Sequence, residues 1–574
     1  MLWLVPVFFI FSGQSDAGNK KFRAAPINAQ YQEYVKNWKA GVLQKFSDDG
    51  HPLGLIPSIH DLSYIKTEGI YRTYDLPDSY DLRTLNKLTS VKNQGSCGSC
   101  WAFASYGSLE SYLMPNENRN FSEQNLVDHH GFDWGPCEGG SIDMATAYLA
   151  RWDGPINESE DPYIHALSMN LLDIKKHVQN VIYFYPKSSA ADNDRIKQAV
   201  MNYGGIYTTM YYSAAYYNSA NKSYYNPSER VGAHAVVIVG WDNNFDQYKF
   251  NQVPPGNGVF IVKNSWGSGW GESGYFYVSY YDAFFGRRDL CAAVTAEPTS
   301  TYQDIYQYDP FGWVWSLGYE DTNTAWGANI FTAKSSLPLS AVSFYCAGRS
   351  NRYEIYVYTG VSAEGPRTGV LAAAKSGSTD NPGYYTIPMD SMVPLYAGQK
   401  FSVVIKFITE GYNFPVPVEY PYPDYCSQAS ANSGESFISE DGNVWDDMLT
   451  ANEGEYANTN ICIKALAGYP GIYPPENFSL QRLENNLIFS KEYINRLEWT
   501  PNPKNVTQIV KYKIFRKKKN QNELYYQLLT ELAATELSYE DRGLKKTDLY
   551  TYGILCVDEW NRESDLTEIS NEGE

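Results

Sequence analysis

One stretch constrains this chain more than any other: Gln94-Gly95-Ser96-Cys97-Gly98-Ser99-Cys100-Trp101-Ala102-Phe103-Ala104. Glycine and serine make a turn, and a small, apolar, proline-free run follows it to Met114, which reads as a buried helix. Cys100 falls in its first turn. Unpaired backbone N–H groups there carry partial positive charge, which favours thiolate over thiol. The Cys97-x-x-Cys100 spacing has three readings: a zinc knuckle, a redox pair, or one structural and one reactive cysteine. Zinc requires a second ligand pair at similar spacing, and none is present, so no metal is expected. A thioredoxin-type redox pair belongs early in a βαβ pattern, which this context does not offer.

Two more blocks follow in order. One is Gly232-Ala233-His234-Ala235-Val236-Val237-Ile238-Val239-Gly240-Trp241, and the other is Val262-Lys263-Asn264-Ser265-Trp266-Gly267-Ser268-Gly269-Trp270-Gly271. His234 opens an apolar run that reads as a buried strand, able to hold an imidazole rigidly. Together the three blocks resemble the active-site signature of papain-like cysteine proteases. His234 lies 134 residues after Cys100 (234 − 100), within the family's range of roughly 130–150. Asn264 follows 30 residues later (264 − 234). The resemblance implies a thiolate–imidazolium pair of Cys100 and His234, with Asn264 fixing the ring tautomer. Gln94 and the Cys100 N–H would donate to the oxyanion. Trp266 and Trp270 would shield the ring's hydrogen bond.

The same resemblance supplies binding residues. Pro136-Cys137-Glu138-Gly139-Gly140 matches a segment whose glycine backbone pairs with an extended substrate as an antiparallel strand. Ser141 lies where the second subsite is lined, and Ala233 and Trp266 flank the dyad. Cys97 is implied to pair with Cys137. The family's second disulfide is missing, because His129 stands in place of its first cysteine. His129 and His130 read as two surface histidines in a loop. Leu76-Pro77-Asp78-Ser79-Tyr80-Asp81-Leu82-Arg83 resembles a mature N-terminus. Residues 18–74 would then be a short propeptide over the cleft. They lack the long helical pattern of many relatives, so the sequence leaves inhibition open.

The rest of the chain is read from pattern and composition. Leu2–Phe11 is apolar and is followed by Ser15-Asp16-Ala17, so residues 1–17 resemble a secretory signal. No later segment is long and apolar enough to span a membrane. The balance of 46 Lys+Arg against 65 Asp+Glu, net −19, argues against nucleic-acid binding. Residues 75–298 form the expected two-lobed α+β protease unit. Across 299–468, Tyr353, Ile355 and Val357, then Phe401, Val403 and Ile405, alternate with outward residues between turns, a β-sandwich pattern. With Asn460–Ala465 this resembles a lectin-like domain. Trp313, Trp315 and Trp326 are candidates for a carbohydrate-stacking face, set against plain packing. Residues 469–574, with strands at Leu497–Trp499, Val510–Phe515 and Tyr550–Ile554, resemble a fibronectin type III domain.

The expected fold is a papain-like protease followed by two all-β sandwiches. The expected function is a secreted or surface cysteine endopeptidase acting on protein or peptide substrates, with no cofactor, and with polysaccharide as a candidate partner of 299–468. Its rivals are an adhesin or glycan-binding protein on a silent protease scaffold, and an acyl transferase using the same thioester. Silent relatives usually lose Cys or His, and both are present here. The sequence also suggests that residues 18–298 fold and cleave alone, and that Cys556 stays unbridged.

Overall fold

Helix α1 (Ala29–Lys39) belongs to the segment before the protease unit, and helix α2 (Cys100–Leu113) opens where the chain turns small and apolar, with Ser99 at its N-cap. Helices α3 (Glu123–His129) and α4 (Ile142–Ala150) are capped by Ser122 and Ser141, whose hydroxyls accept from the amides of Asn125 and Met144. These three helices form one lobe. Gly107 lets α2 lie close on the strand His234–Asp242, since a Cβ there would come within 2.9 Å of Val237. That strand belongs to the second lobe, between Ile206–Met210 and Val259–Lys263. The computed structural model describes residues 21–65, 75–164, 172–184, 189, 192–228, 232–287, 290–469, 471–486, 491–505, 507–518 and 526–570. Residues 1–17, which resemble a secretory signal, lie outside them.

The protease sheet does not end at the protease. Strand His177–Phe184 pairs with Gly383–Val393 through Ile182↔Gly383 and Val181↔Tyr384. Leu339–Cys346, Ile463–Ala467 and Asp304–Tyr306 follow, giving one sheet of thirteen strands. Gly383 has φ +134°, and a Cβ on it would meet the Val181 carbonyl at 2.1 Å, so only glycine permits this junction. Facing part of this sheet is a six-stranded one: Val370–Thr379, Asn351–Thr359, Lys400–Thr409, Thr324–Thr332, Ser436–Ser439, Asp446–Asp447. Tyr353, Ile355, Val357, Phe401, Val403 and Ile405 point inward against Leu339, Val342 and Phe344, making a sandwich core.

The three tryptophans do not share a face. Trp313 is buried against His60, Trp315 packs on Tyr420 and donates to the Ala25 carbonyl, and Trp326 stacks on Tyr356 on the outside of the six-stranded sheet. Trp313 and Trp315 are therefore packing residues for the segment that precedes the protease. That segment reaches both units. Phe22–Ala24 pairs antiparallel with Trp315–Tyr319. In α1, Tyr34 and Trp38 lie on Trp134, Tyr31 lies on Tyr425, and Lys39 meets Asp424 at 2.6 Å.

Residues 476–570 form sheets of three and four strands around Leu497, Trp499, Tyr512, Ile514, Tyr552, Ile554 and Cys556. Lys176, 1 % exposed, reaches from the protease unit to Asp565 at 3.2 Å while also pairing with Glu117 at 2.5 Å. The buried thiols of Cys100, Cys291, Cys346, Cys426, Cys462 and Cys556 form no disulfide.

Candidate active site

Cys100 is the first residue of α2, so its side chain sits where the helix leaves amides unpaired. Its sulfur accepts from the Ala235 amide at 3.4 Å. The neighbouring residue, His234, begins the buried strand, and its Nε2 meets Asn264 Oδ1 at 2.8 Å. The Trp266 ring lies over the imidazole, 4.5 Å between centroids at 24°. Asn264 is held in turn by the Ser265 amide, which donates to the same oxygen at 2.8 Å. An Asn oxygen at Nε2 requires the proton on that nitrogen, leaving Nδ1 as the basic atom. Nδ1 is buried with no hydrogen-bond partner.

Gln94 lies beside Cys100 with its amide oriented from both ends. Ser265 Oγ donates to Oε1 at 2.7 Å, and Nε2 donates to the Cys97 carbonyl at 2.9 Å. An amide nitrogen has two protons, so one remains for an oxyanion. Cys97 is bonded to Cys137, bringing the Gly139-Gly140 segment alongside the cysteine turn. The two glycines have different reasons. A Cβ on Gly140 would strike the Trp101 ring at 2.3 Å, so the demand comes from beneath. Gly139, with φ +120°, faces the cleft, where a Cβ would lie 3.0 Å from the Gly54 carbonyl. Ser141 is the cap of α4. His130, read from sequence as a surface residue, is instead buried. Its Nδ1 accepts from the Phe132 amide at 3.0 Å, and Arg151 binds the carbonyls of His129 and His130. The turn must be held this way because it lies against Trp101. Among the described residues no group of three or more metal-binding side chains occurs.

The cleft is occupied by the chain itself. Residues 51–60 run through it between the two lobes. The amides of Gly54 and Leu55 donate to the Ala233 carbonyl, each at 3.2 Å. The Gly140 amide donates to Gly54 and the Ile56 amide to Gly140, at 3.0 and 2.9 Å, which makes a parallel bridge at Leu55. A substrate of the papain-like type pairs antiparallel here, so this segment lies in the opposite sense. Upstream, the His51 ring stacks on Trp266 at 4.3 Å and 8°. Asp48 and Asp49 accept from Ser213 and Tyr212 at 2.6 and 2.9 Å.

This cover changes the electrostatics. Cys100 and His234 are both 0 % exposed. Burial pushes the Cys100 thiol up to about 11, despite the opposing backbone amides of Ala235 and Gly54. Burial pulls His234 down to about 4, against the Asn264 hydrogen bond and with help from His51. Both shifts disfavour the charged forms, so the covered state works against the ion pair.

Sequence reading expected a propeptide over the cleft within residues 18–74 but did not single out residues 51–60 as the part that fills it. It also missed the roles of Ser265 and Tyr163. Tyr163 Oη meets Ser99 Oγ at 2.6 Å and donates to the Gln94 carbonyl at 3.1 Å, bracing the cysteine turn. The signal for the cover was Leu53-Gly54-Leu55-Ile56, an apolar run with a glycine between two prolines, Pro52 and Pro57.

Comparison with known proteins agrees with this geometry. Residues 76–292 match the family model "Papain family cysteine protease", and 305–467 match "Lectin like domain". A viral cathepsin of Adoxophyes honmai nucleopolyhedrovirus is 34% identical over 211 residues, 36% of this chain and 57% of that one. Cysteine proteinase 15A of Pisum sativum is 30% identical over 237 residues, 39% of this chain and 63% of that one. The chain thus spans less than two thirds of either relative. Among solved structures, the cysteine protease and lectin-like domains of Cwp84, a surface layer associated protein of Clostridium difficile, superpose with a TM-score of 0.65. That likeness is at 25% identity and covers 78% of this chain and 98% of the other. Cwp84 after propeptide cleavage gives a TM-score of 0.59 at 26% identity, covering 68% and 99%. Residues 76–292 therefore match the papain family of cysteine proteases in sequence and fold, and residues 305–467 match a lectin-like domain.

Proposed function

We propose that the chain is a secreted cysteine endopeptidase, made as a covered precursor and carried to a cell surface by its β domains. The observation that supports this best is His234 Nε2 on Asn264 Oδ1 at 2.8 Å, beside a cysteine that opens a helix. In this reading, departure of residues 51–60 lets water and substrate into the cleft and restores the thiolate–imidazolium pair. Cys100 attacks the peptide carbonyl, and the oxyanion forms between the Cys100 amide and the free Gln94 proton. His234 then protonates the leaving amine, and water hydrolyses the thioester. Gly139, Gly140, Ser141, Ala233 and Trp266 bind the extended substrate. The lectin-like domain, about residues 299–468, and a fibronectin type III-like unit, about 469–574, place the enzyme on its target. A surface glycan is the ligand proposed for the first. The likeness to a surface layer associated protease supports an extracellular site of action.

The test is hydrolysis of internally quenched peptides blocked at both ends, by the processed chain and by its Cys100→Ala variant. Cleavage within the peptide by the first and none by the second is expected. Release of single residues or dipeptides only, or equal activity in both, would overturn the reading.

A further inference from the structure

The cleft continues past Gly140 toward the lectin-like domain, and what lies there is not an ordinary domain contact. Asp143 of α4 is 5 % exposed. One oxygen accepts from Tyr183 Oη at 3.1 Å, the other, Oδ2, makes no hydrogen bond of ordinary geometry, and the Ser58 hydroxyl of the covering segment also acts on the carboxylate. No basic side chain of the protease or lectin-like domain pairs with it among the described residues. What faces it is His60 of the covering segment, with Nε2 3.9 Å from Asp143 Oδ1. The other side of that imidazole is the Trp313 indole of the lectin-like domain, stacked at 3.9 Å and 22°. Tyr425, also from the lectin-like domain, lies against Asp143 and Ser141. His60 thus sits between a carboxylate from one domain and an aromatic face from the other.

Withdrawal of the segment leaves this slot open at the end of the substrate groove. Burial pushes the Asp143 carboxyl up to about 6, against the hydroxyls of Ser58 and Tyr183, so its charge lacks a counterion. A planar or extended cation against a tryptophan and a carboxylate gains both cation–π attraction and a charge-assisted hydrogen bond. Position follows from chain direction. Gly54 lies against the Gly98 backbone beside Cys100, and Leu55 pairs with Gly140, so the segment moves away from the sulfur toward His60. A productive substrate runs the other way, so its residues in this region precede the scissile bond. Six residues separate Gly54 from His60 (60 − 54), a reach of at most about 20 Å.

We infer that Asp143, Trp313 and Tyr425 form a distal substrate subsite shared by the two domains, which takes an arginine or lysine side chain about four to six residues before the cleaved bond. This rests on the cysteine-protease reading of the cleft. In the precursor, His60 occupies this place as a neutral ring, since burial pulls it down to about 3, and so fills the slot without supplying the charge.

Two measurements test it. The first is calorimetric binding of the peptide His51–Leu62 to the processed Cys100→Ala chain, which requires no catalysis. The His60→Arg peptide should bind at least as tightly as the parent, His60→Ala about tenfold more weakly, and Asp143→Asn in the protein should abolish that difference. The second is hydrolysis of quenched peptides identical except for Arg, Lys, Ala or Glu at the fourth to sixth positions before the cleaved bond. The kcat/KM ratio of Arg over Ala should be about ten and should fall toward one in Asp143→Asn, while Asp143→Glu retains part of it. Equal binding of the His60→Arg and His60→Ala peptides, or a flat peptide series, would overturn the inference. If no peptide is cleaved at all, the protease reading fails, and the binding series still decides this one. If Asp143→Asn does not fold, the wild-type peptide series decides it alone.

Discussion

Cys100 and His234 show how one residue's chemistry depends on what covers it. Their identities permit an ion pair, but burial in the covered cleft shifts both toward their neutral forms. Iodoacetamide should therefore label Cys100 slowly in the full precursor and rapidly after processing, as followed by mass spectrometry. Equal rates would mean that residues 51–60 do not hold the cleft in solution. Gln94→Ala in the processed enzyme should lower kcat/KM by about 10²–10³-fold, since it removes one oxyanion donor. A loss of less than tenfold in a steady-state assay would give that role to another group. Arg151 is the matching case for stability. Its guanidinium binds the carbonyls of His129, His130 and Pro310, so Arg151→Met strips a partner from three backbone groups. A destabilisation of about 2–3 kcal/mol is expected in urea unfolding.

The element proposed to govern activity is the segment from Ser47 to His60. Its grip has a steric part and an ionic part. A Cβ on Gly54 would lie 2.0 Å from the Gly98 carbonyl, which is backbone and cannot step aside. Gly54→Val should lift the segment out, making Cys100 accessible to alkylation and the uncut chain active toward small peptides. An uncut Gly54→Val chain that stays as slow to label as wild type would contradict this packing. The ionic part is at Asp48. Burial acts to raise its carboxyl, but hydrogen bonds from Ser213 and Ala214 outweigh it and hold it below the usual carboxylate value. A depressed bound-state value means the contribution is present at neutral pH and is lost as pH falls through that value. Activation should thus accelerate in acid, below about pH 4. Asp48→Asn should weaken the hold at pH 7 and flatten that dependence, as measured by the rate at which activity appears across pH 3–7.

Across the whole molecule, the protease and lectin-like units share one sheet and one core. Tyr345, Tyr384 and Tyr425 of the second unit are counted among the buried side chains of the first. A chain ending at 298 would expose the edge strand His177–Phe184 and leave Phe22–Ala24 without its partner strand. This sharing weighs against the expectation that residues 18–298 fold and cleave alone. The truncated chain should melt at least about 5 °C lower than the full chain, as each kcal/mol lost shifts Tm by roughly 2–4 °C at this size. Scanning calorimetry giving an unchanged Tm would show that the shared sheet adds no stability. Bridges such as Lys176–Asp565 make the C-terminal unit a second contact, though a smaller one.

The proposed catalytic residues were legible because their chemistry is local. A cysteine after a glycine turn, a histidine at a strand start and an asparagine before Ser-Trp-Gly are each specified by their immediate neighbours. The alternation at Tyr353–Val357 and Phe401–Ile405 was legible for the same reason, since a half-buried strand has a period of two. Where the two domains join was not, because Gly383 meeting Val181 is a pairing across 202 residues (383 − 181) with no local pattern. Nor was the burial of His130, whose neighbours Trp101 and Arg151 come from other helices or their ends. The sequence by itself determined the reactive groups and the elements that carry them, because backbone propensity and side-chain period act over a few residues. Only the tertiary structure decided which residues fill the cleft and in which sense they run, that burial shifts its groups toward their neutral forms while it is filled, and that the lectin-like domain walls its far end, because burial and long-range register set all three.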